Sequence, residues 1–268
     1  MRAAAVGDNC IDIYTNKGLS FPGGGAVNFA VQAKRAGAST AYVGMLGSDA
    51  NGDWLANALQ AEGVDIAQVQ REQGPTAVAY VELHGSERTF IGADRGVRER
   101  LTITPEIDAY LRGFDLIHTT LDGRVDAHIP NWRARGLMIS YDFSHRATPE
   151  QIDLLPHITL AFFSGQKLSP DQTEQAVVTY QQRGAQVAVV TLGEQGSLAF
   201  DGQQRYFQPA LPVTDVVDTL GAGDAFQAGF AVEYFASRSV ERALLAGAER
   251  AAETCQFFGG FGHGRHHE

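Results

Sequence analysis

The stretch VVDTLGAGDAFQAGF, Val216 to Phe230, places three small residues directly before an acid, inside an otherwise helical pattern. Gly221, Ala222 and Gly223 lack the bulk that would keep a ligand away from main-chain N–H groups. The apolar pattern resumes around Asp224 and predicts a helix whose positive end points at the same place. The stretch therefore predicts an anion-binding site at the start of a helix.

Asp224 has two interpretations in this position. It is either an acid of the first helical turn, stabilised by the helix dipole, or a group with a chemical role. A carboxylate beside bound anion oxygens is electrostatically costly, and phosphoryl transfer to a hydroxyl would account for that cost. This reaction needs donors for the charge on the transferred group and a carboxylate that accepts the hydroxyl proton. We therefore favour a general base beside an anion hole.

Outside this stretch, short apolar runs alternate with helical patterns. Such runs are typical of strands buried on both faces of a sheet. The helical patterns of residues 25–37 and 51–63 each end on glycine. The alternation predicts crossover units, and hence an α/β fold with a mainly parallel sheet covered by helices. The predicted strands are AAAVG (Ala3–Gly7), TAYVG (Thr40–Gly44), FDLIH (Phe114–His118), GLMISYDF (Gly136–Phe143), ITLAFF (Ile158–Phe163) and QVAVVTLG (Gln186–Gly193).

Two segments depart from this alternation. AVAYVELHGSERTFIG, Ala77 to Gly92, predicts two strands around the turn HGSE, because it leaves no room for a crossover helix. CIDIYTN, Cys10 to Asn16, predicts another strand with no helix after it. We expect a small β-sheet lid, built from segments near 10–22 and 76–98, on a single domain that spans residues 1–268. An exposed face of this sheet would favour a homodimer through the lid.

Composition limits the partners and the compartment. With 268 residues and 44% hydrophobic content, the chain can bury a large core. The formal net charge of −10 disfavours nucleic acid and anionic membrane surfaces as main partners. Cys10 and Cys255 are far apart in apolar segments, so we expect buried reduced thiols. No leader or membrane-spanning run is visible, and we expect a cytoplasmic protein.

The C-terminal part of the sequence predicts a helix followed by a glycine-rich end. A buried helical stripe runs from Val240 to Phe258, and the final HGRHHE holds three of the eight histidines. For this tail we favour a disordered terminus over a metal site.

Two common phosphate-binding motifs are absent. A P-loop needs lysine directly after glycine, and the three lysines, Lys17, Lys34 and Lys167, follow other residues. GGGAVNF fails as a dinucleotide fingerprint, because Asn28 stands at the third glycine position. Together with GDNCID it instead offers close backbone approach and polar groups for adjacent hydroxyls of a polyol. A tight turn would also explain these glycines.

Three stretches resemble motifs of the PfkB, or ribokinase-like, carbohydrate kinase family. DTLGAGDAF (Asp218–Phe226) is similar to its C-terminal Asp-Thr-x-Gly-Ala-Gly-Asp signature. FPGGGAVNFA (Phe21–Ala30) is similar to its N-terminal diglycine motif, and VTLGEQGS (Val190–Ser197) to its nucleotide-side strand and turn. The resemblance implies a three-layer α/β/α sandwich of a nine-stranded type with a small β-sheet lid. It also implies transfer of the γ-phosphate of ATP, with Mg²⁺, to a sugar-like hydroxyl.

The resemblance further implies roles for residues at matching positions, in a catalytic, an acceptor and a nucleotide group. The catalytic group is Asp224 as base with the main chain of Gly221, Ala222 and Gly223 as anion hole; the acceptor group is Gly24, Gly25, Asn28 and Asp8 or Asp12; the nucleotide group is Thr191, Gly193 and Gly196. The choice between the two N-terminal acids stays open, because residues four apart on a strand share a face.

One departure from the family concerns the metal. The family commonly has Asn-x-x-Glu after a central strand, linked to Mg²⁺ and phosphate, whereas FFSGQKLS has Ser164 and Lys167 there. Lys167 either offsets phosphate charge directly or is a solvated surface lysine. The sequence therefore assigns no Mg²⁺ ligands, and it leaves open a monovalent cation near Asp218.

Within the family, VGDNCIDIY, VAYVELHGSERTFIGADRGV and ISYDFSHR look most like the fructosamine kinases of the fructoselysine 6-kinase type. This resemblance implies a ketose amine acceptor that is phosphorylated at its 6-hydroxyl. The residues available for its amino-acid part are Glu82, Arg88, Asp94, Arg95 and Asp142. We predict that Arg95 contacts the acceptor from the lid, the alternative being a structural ion pair. Fructokinase or ribokinase activity, and a non-catalytic sugar or nucleotide sensor, are the competing functions.

Overall fold

The computed structural model describes residues 1–85 and 87–267. The strands are β1 (Arg2–Val6), β2 (Cys10–Tyr14), β3 (Leu19–Gly23), β4 (Ser39–Val43), β5 (Met45–Gly47), β6 (Gln70–Glu72), β7 (Val78–His84), β8 (Glu87–Asp94), β9 (Leu116–Thr120), β10 (Met138–Ser144), β11 (Leu160–Ser164), β12 (Val187–Thr191), β13 (Ser197–Phe200), β14 (Arg205–Gln208) and β15 (Arg265–His266). The α-helices are α1 (Gly25–Arg35), α2 (Ala50–Ala61), α3 (Pro105–Leu111), α4 (Ile129–Ala134), α5 (Pro149–Ile152), α6 (Pro170–Gln182), α7 (Ala222–Ser237) and α8 (Val240–Thr254).

Eight strands form the central sheet, in the order β14-β13-β12-β11-β10-β9-β1-β4. The six strands from β12 to β4 run parallel, and β13 and β14 extend the sheet in antiparallel fashion. These six are the predicted strands, each within two residues of its predicted bounds. The described residues add no ninth strand after β14, where Val217 N donates instead to Cys255 O at 2.9 Å.

Side chains of the central strands alternate between two cores. On β1, Ala3 and Ala5 face one core, whereas Ala4 and Val6 face the other. Helices α1, α2, α7 and α8 cover the first face, and α3, α4, α5 and α6 cover the second. Because both faces are covered, the central strands carry near-continuous apolar runs. The predicted three-layer α/β/α arrangement with a mainly parallel sheet is confirmed.

A five-stranded sheet forms the lid, in the order β15-β3-β2-β7-β8. Four of its strands come from the two segments that were predicted to form a lid, and β7 and β8 pair as an antiparallel hairpin. Ser86 of the predicted HGSE turn lies outside the described residues. Tyr80, Phe90 and Ile91 are exposed on this sheet. A homodimer through the lid stays a prediction.

The C-terminal tail joins the lid. Arg265 pairs with Ser20 and His266 with Leu19, so the expectation of a disordered terminus is wrong for these two residues. The physical reason is that β3 would otherwise present an unpaired edge, which a further strand can satisfy. Glu268 of the tail lies outside the described residues.

The lid strand β2 is anchored to the segment before α7. The hydroxyl of Tyr14 donates to Asp218 Oδ2, and both side chains are fully buried. Asp218 also accepts from Leu220 N and from Gly259 N, each at 2.9 Å. The lid and the segment that leads into α7 are therefore joined by a buried hydrogen-bond network.

Two further expectations concern thiols and membranes. Both cysteines are free, with Cys10 buried and Cys255 only partly buried. Among the described residues, no helix is both long enough and apolar enough to span a bilayer.

Candidate active site

The small-residue turn forms the start of α7. The helix begins at Ala222, with Gly221 as its N-cap in the left-handed region at a φ of 77°. A Cβ on Gly221 would lie 2.5 Å from Gly260 Cα, well inside contact distance. Both the backbone conformation and this close approach therefore require glycine at position 221.

Not all of the predicted amide donors are free. Ala222 N donates to Thr219 O at 3.2 Å, so this N–H closes the turn rather than facing a ligand. Gly223 and Asp224 occupy the first helical turn, where N–H groups have no intrahelical acceptor. A Cβ on Gly223 would meet no heavy atom within 4 Å, so open space adjoins this residue. The structure thus favours Gly221, Gly223 and Asp224 as the donors of an anion hole.

The carboxyl group of Asp224 is enclosed by protein, although part of the residue remains accessible. Its Oδ2 accepts a hydrogen bond from Asn28 Nδ2 at 2.8 Å, and it forms no ion pair with a described arginine. Burial raises the pKa of Asp224 to about 8; the Asn28 hydrogen bond opposes this shift, and the charges of Asp142 and Asp8 add to it. A solvated helix acid would have none of these features, which supports a chemical role.

Asp8 lies in the loop after β1 and caps α1. Its Oδ2 accepts from Gly25 N at 2.7 Å, and its Oδ1 accepts from Ala26 N at 3.2 Å and Thr120 Oγ1 at 2.8 Å. Three of its acceptor positions are therefore occupied within the protein. Because Asp8 precedes β2, the strand-alternation argument that placed it on one face with Asp12 is wrong.

Asp12 lies on β2 and retains more acceptor capacity. It is 3% exposed, and its Oδ1 accepts from the Cys10 thiol at 3.3 Å. Burial raises the pKa of Asp12 to about 6, while the Cys10 hydrogen bond and the charge of Arg88 lower it. Of the two N-terminal acids, Asp12 is thus the better candidate for binding acceptor hydroxyls.

Asn28 on α1 holds the carboxyl group of Asp224. It is 3% exposed on α1, and while its Nδ2 donates to Asp224, its buried Oδ1 has no hydrogen-bond partner. Gln227 on α7 likewise has a buried Oε1 without a partner. Unsatisfied buried acceptors are costly, and hydroxyl donors of a polyol would satisfy them.

The diglycine stretch has a clear structural requirement. Gly24 has a φ of 107°, and a Cβ there would lie 2.5 Å from Asn9 Cα. A point occupied by a Cβ on Gly25 would lie 3.6 Å from Asp224 Oδ1 and 3.6 Å from Asp8 Oδ2. The same Cβ would lie 2.9 Å from Thr120 Cγ2, so close packing already requires glycine at position 25, and a role in acceptor binding stays a prediction.

A model of the pfkB family of carbohydrate kinases matches residues 9–130 and 157–260. The chain belongs to this family. It is 38% identical to a fructoselysine 6-kinase of Escherichia coli over 263 residues, with 96% of this chain and 98% of the relative covered. It is 35% identical to a fructosamine kinase of Bacillus subtilis over 270 residues, with 98% and 94% covered.

A solved structure of Arabidopsis thaliana ribokinase, complexed with ribose and ATP, superposes with a TM-score of 0.84 at 23% identity. The alignment covers 96% of this chain and 93% of the ribokinase. The ribokinase-like fold is therefore confirmed, and a pfkB carbohydrate kinase is a phosphotransferase that acts on a sugar hydroxyl.

The predicted nucleotide residues of this pfkB kinase lie at the carboxyl edge of the central sheet. Thr191 is the last residue of β12. Because β12 is two strands away from β10, the ends of these two strands are about 10 Å apart along the edge of the sheet. Gly193 begins an exposed 3₁₀ turn, Gly193–Gln195, with a φ of 61°. A Cβ on Gly196 would lie 2.1 Å from Gln208 O, so this glycine has a structural requirement of its own. Contact of these residues with nucleotide stays a prediction.

Three further predictions concern the altered metal motif, the Mg²⁺ ligands and the contact of Arg95 with the acceptor. Ser164 ends β11 and Lys167 is exposed in the following loop. Among the described residues, no group of three or more His, Cys, Asp or Glu side chains could hold a metal ion by itself. The usual Mg²⁺ site of a kinase needs only one or two protein carboxylates, with substrate phosphate oxygens and water as the other ligands. Arg95 pairs with Glu99 at 2.8 Å on the surface, and its contact with an acceptor stays a prediction.

Sequence reasoning missed Thr120 and considered Asp142 for a different part of the site. Asp142 had been considered for the acceptor's amino-acid part, but it lies on β10, where Gln227 hydrogen-bonds it and it raises the pKa of Asp224. Thr120 ends β9 and donates to Asp8. The signal was available, because both residues lie towards the carboxyl ends of two neighbouring parallel strands, and ligands of such sheets bind beyond those ends.

Proposed function

We propose that this pfkB kinase is an ATP-dependent fructosamine kinase that phosphorylates the 6-hydroxyl of a fructoselysine-type ketose amine. The proposal is supported by relatives with 35% and 38% identity over nearly the whole chain. The single observation that carries the kinase chemistry is the enclosed Asp224 carboxyl, held by Asn28 at the start of α7. A sugar sensor would not need this carboxylate there.

The transfer step assigns each part of this site a task. The acceptor hydroxyl oxygen bonds to the γ-phosphorus, and the bond from that phosphorus to the β–γ bridging oxygen breaks. The electron pair of the broken bond leaves with ADP, and the hydroxyl proton passes to Asp224. Amides of Gly221 and Gly223 would stabilise charge on the transferred group. Mg²⁺, when bound, would neutralise charge on the β- and γ-phosphates.

The acceptor pocket is formed by polar groups with remaining hydrogen-bonding capacity. Asp12 offers a nearly free carboxylate, and Asn28 offers an unpaired amide oxygen 3.8 Å from the position of a Cβ on Gly23. Vicinal sugar hydroxyls suit such closely spaced acceptors.

A cytoplasmic location and a monovalent cation near Asp218 remain predictions. The Asp218 carboxylate already accepts three protein hydrogen bonds.

A coupled assay of ADP release tests the acceptor. The panel is fructoselysine, fructosamines of other amino acids, fructose, ribose and 6-deoxyfructoselysine, each with ATP and Mg²⁺. We expect kcat/KM for fructoselysine to exceed that for fructose by at least about 100-fold. The amino-acid part of fructoselysine would pair with polar groups of the site that fructose leaves without a partner. The 6-deoxy compound is the matched control and should accept no phosphate. A preference for fructose or ribose would overturn the acceptor assignment while leaving the kinase chemistry intact.

Activity should depend on pH in a defined direction. Because burial raises the pKa of Asp224 to about 8, most of this base is protonated at pH 6 and becomes available as the pH rises. We expect kcat/KM to rise by roughly tenfold from pH 6 to 7 and to level off above pH 8. The measurement is kcat/KM from pH 6 to 9 at constant ionic strength, with the coupling enzymes in excess at every pH. A profile that is already flat at pH 6 would contradict the assigned base.

A further inference from the structure

One lid arginine reaches the catalytic turn. Arg88 lies on β8, and its Nη1 donates to Thr219 Oγ1 at 3.0 Å. Thr219 is two residues before Gly221, so this guanidinium bridges the lid sheet and the segment that holds the anion hole. The Arg95 side chain, by contrast, pairs with Glu99 on the surface.

The guanidinium of Arg88 is incompletely satisfied. The residue is half-buried, and its Nε is buried without a hydrogen-bond partner. It forms no ion pair with any side chain that the structure describes; its carbon Cζ lies 5.8 Å from the centre of the Phe90 ring. An arginine carries five N–H donors, and leaving buried ones unpaired is costly. An anionic ligand would remove this cost.

The charge of Arg88 acts on both parts of the site. It lowers the pKa of Asp12 in the acceptor pocket and that of Asp224 in the catalytic turn, in each case against the larger effect of burial. Its hydrogen bond to Thr219, two residues before Gly221, places the guanidinium beside the segment that leads into the anion hole. Of the other cationic side chains that the structure describes, Arg98 donates to Asn9 O beside the diglycine turn, and Lys167 is exposed on another loop.

We propose that Arg88 is a catalytic residue that binds the transferred phosphoryl group from the lid side, opposite the amides of the anion hole. The inference rests on the proposed phosphotransferase function and deepens it. As the oxygen–phosphorus bond to the acceptor forms and the bond to ADP breaks, charge on the transferred group is shared by three equatorial oxygens. Amides on one side and a bidentate guanidinium on the other would stabilise that charge.

The test compares nucleotide binding with and without the γ-phosphate. Isothermal titration calorimetry with Mg²⁺ measures AMP-PNP and ADP on the wild type, Arg88→Gln, Arg88→Lys and Arg100→Gln. Arg100 is the matched control, since it forms an exposed ion pair with Glu72. We expect Arg88→Gln to weaken AMP-PNP binding roughly 10- to 100-fold and ADP binding less than about twofold. Arg88→Lys should keep part of the AMP-PNP affinity, and Arg100→Gln should match the wild type.

Turnover provides the second readout. With the best acceptor of the panel, Arg88→Gln should lower kcat by at least about 100-fold and change acceptor KM by less than about threefold. Equal losses for AMP-PNP and ADP, or a raised acceptor KM at unchanged kcat, would overturn the proposal. The proposal would also be overturned if Arg88→Gln lowered the melting temperature but kept the wild-type ratio of AMP-PNP to ADP affinity. That result would indicate a purely structural arginine. If no ketose amine is phosphorylated, the proposed acceptor fails, whereas the calorimetric comparison still decides the role of Arg88.

Discussion

Asp224→Asn should lower kcat by at least about 100-fold while the acceptor still binds. Asparagine keeps an oxygen that can accept from Asn28 Nδ2, so the geometry at the start of α7 should persist. It cannot take the hydroxyl proton, so the transfer step alone should be impaired. The measurement is kcat by the coupled assay together with acceptor Kd by calorimetry. The control is Asp153→Asn, at an exposed acid paired with Arg183, which should behave like the wild type.

The same substitution should increase stability at alkaline pH. Folding raises the pKa of Asp224 from 3.8 to about 8 by burial, so between these values the folded protein holds a proton that the unfolded chain has released. Its contribution to the free energy of unfolding therefore falls as the pH rises from about 4 to 8. The Asn variant avoids this loss, and we expect its melting temperature at pH 8 to exceed that of the wild type. Full activity, or a lower melting temperature at pH 8, would contradict the role of a buried base.

Gly223→Ala should separate ligand binding from folding. Its Cβ would meet no heavy atom of the protein, and alanine is favoured over glycine in a helix by up to about 1 kcal/mol. The melting temperature should therefore stay equal or rise. The methyl group would nevertheless occupy the open space beside the first-turn amides, so we expect kcat/KM for ATP to fall by at least about tenfold.

Gly221→Ala is the comparison for this variant. A Cβ there would approach Gly260 Cα to 2.5 Å on a left-handed backbone, so we expect both the melting temperature and kcat/KM to fall. Differential scanning fluorimetry and ATP saturation kinetics distinguish the two substitutions. Normal kcat/KM in a well-folded Gly223→Ala enzyme would show that the phosphate does not bind against this turn.

The central sheet could be predicted from the sequence because its strands are buried on both faces. Runs such as QVAVVTLG are almost entirely apolar, as such strands must be. Their predicted bounds lie within two residues of the strands in the structure. The short β5–β6 pair and the tail strand β15 carry no such pattern. Their residues become strands only because partner edges are available, which depends on tertiary structure.

The site was predictable where a motif required special backbone, as at Gly24 and Gly221. It was not predictable where a role depends on which hydrogen bonds are already made. Asp8 is distinguished from Asp12 because its carboxylate accepts three hydrogen bonds from protein donors. The amide of Ala222 is excluded as an anion-hole donor because it donates to Thr219 O. Arg88 and Arg95 are seven residues apart, and the structure turns the first towards the interior and the second towards Glu99.

The buried bond between Tyr14 and Asp218 restricts how the cleft can open. Moving β2 away would remove one of three donors from a fully enclosed carboxylate, at a cost of about 1 to 3 kcal/mol. Moving the β7–β8 hairpin alone would break the half-buried contact between Arg88 and Thr219 and also the parallel pairing of β7 with β2. The lid sheet is therefore joined to the segment before α7 at two points, and Arg88 keeps its positive charge beside that segment only while its contact with Thr219 is intact.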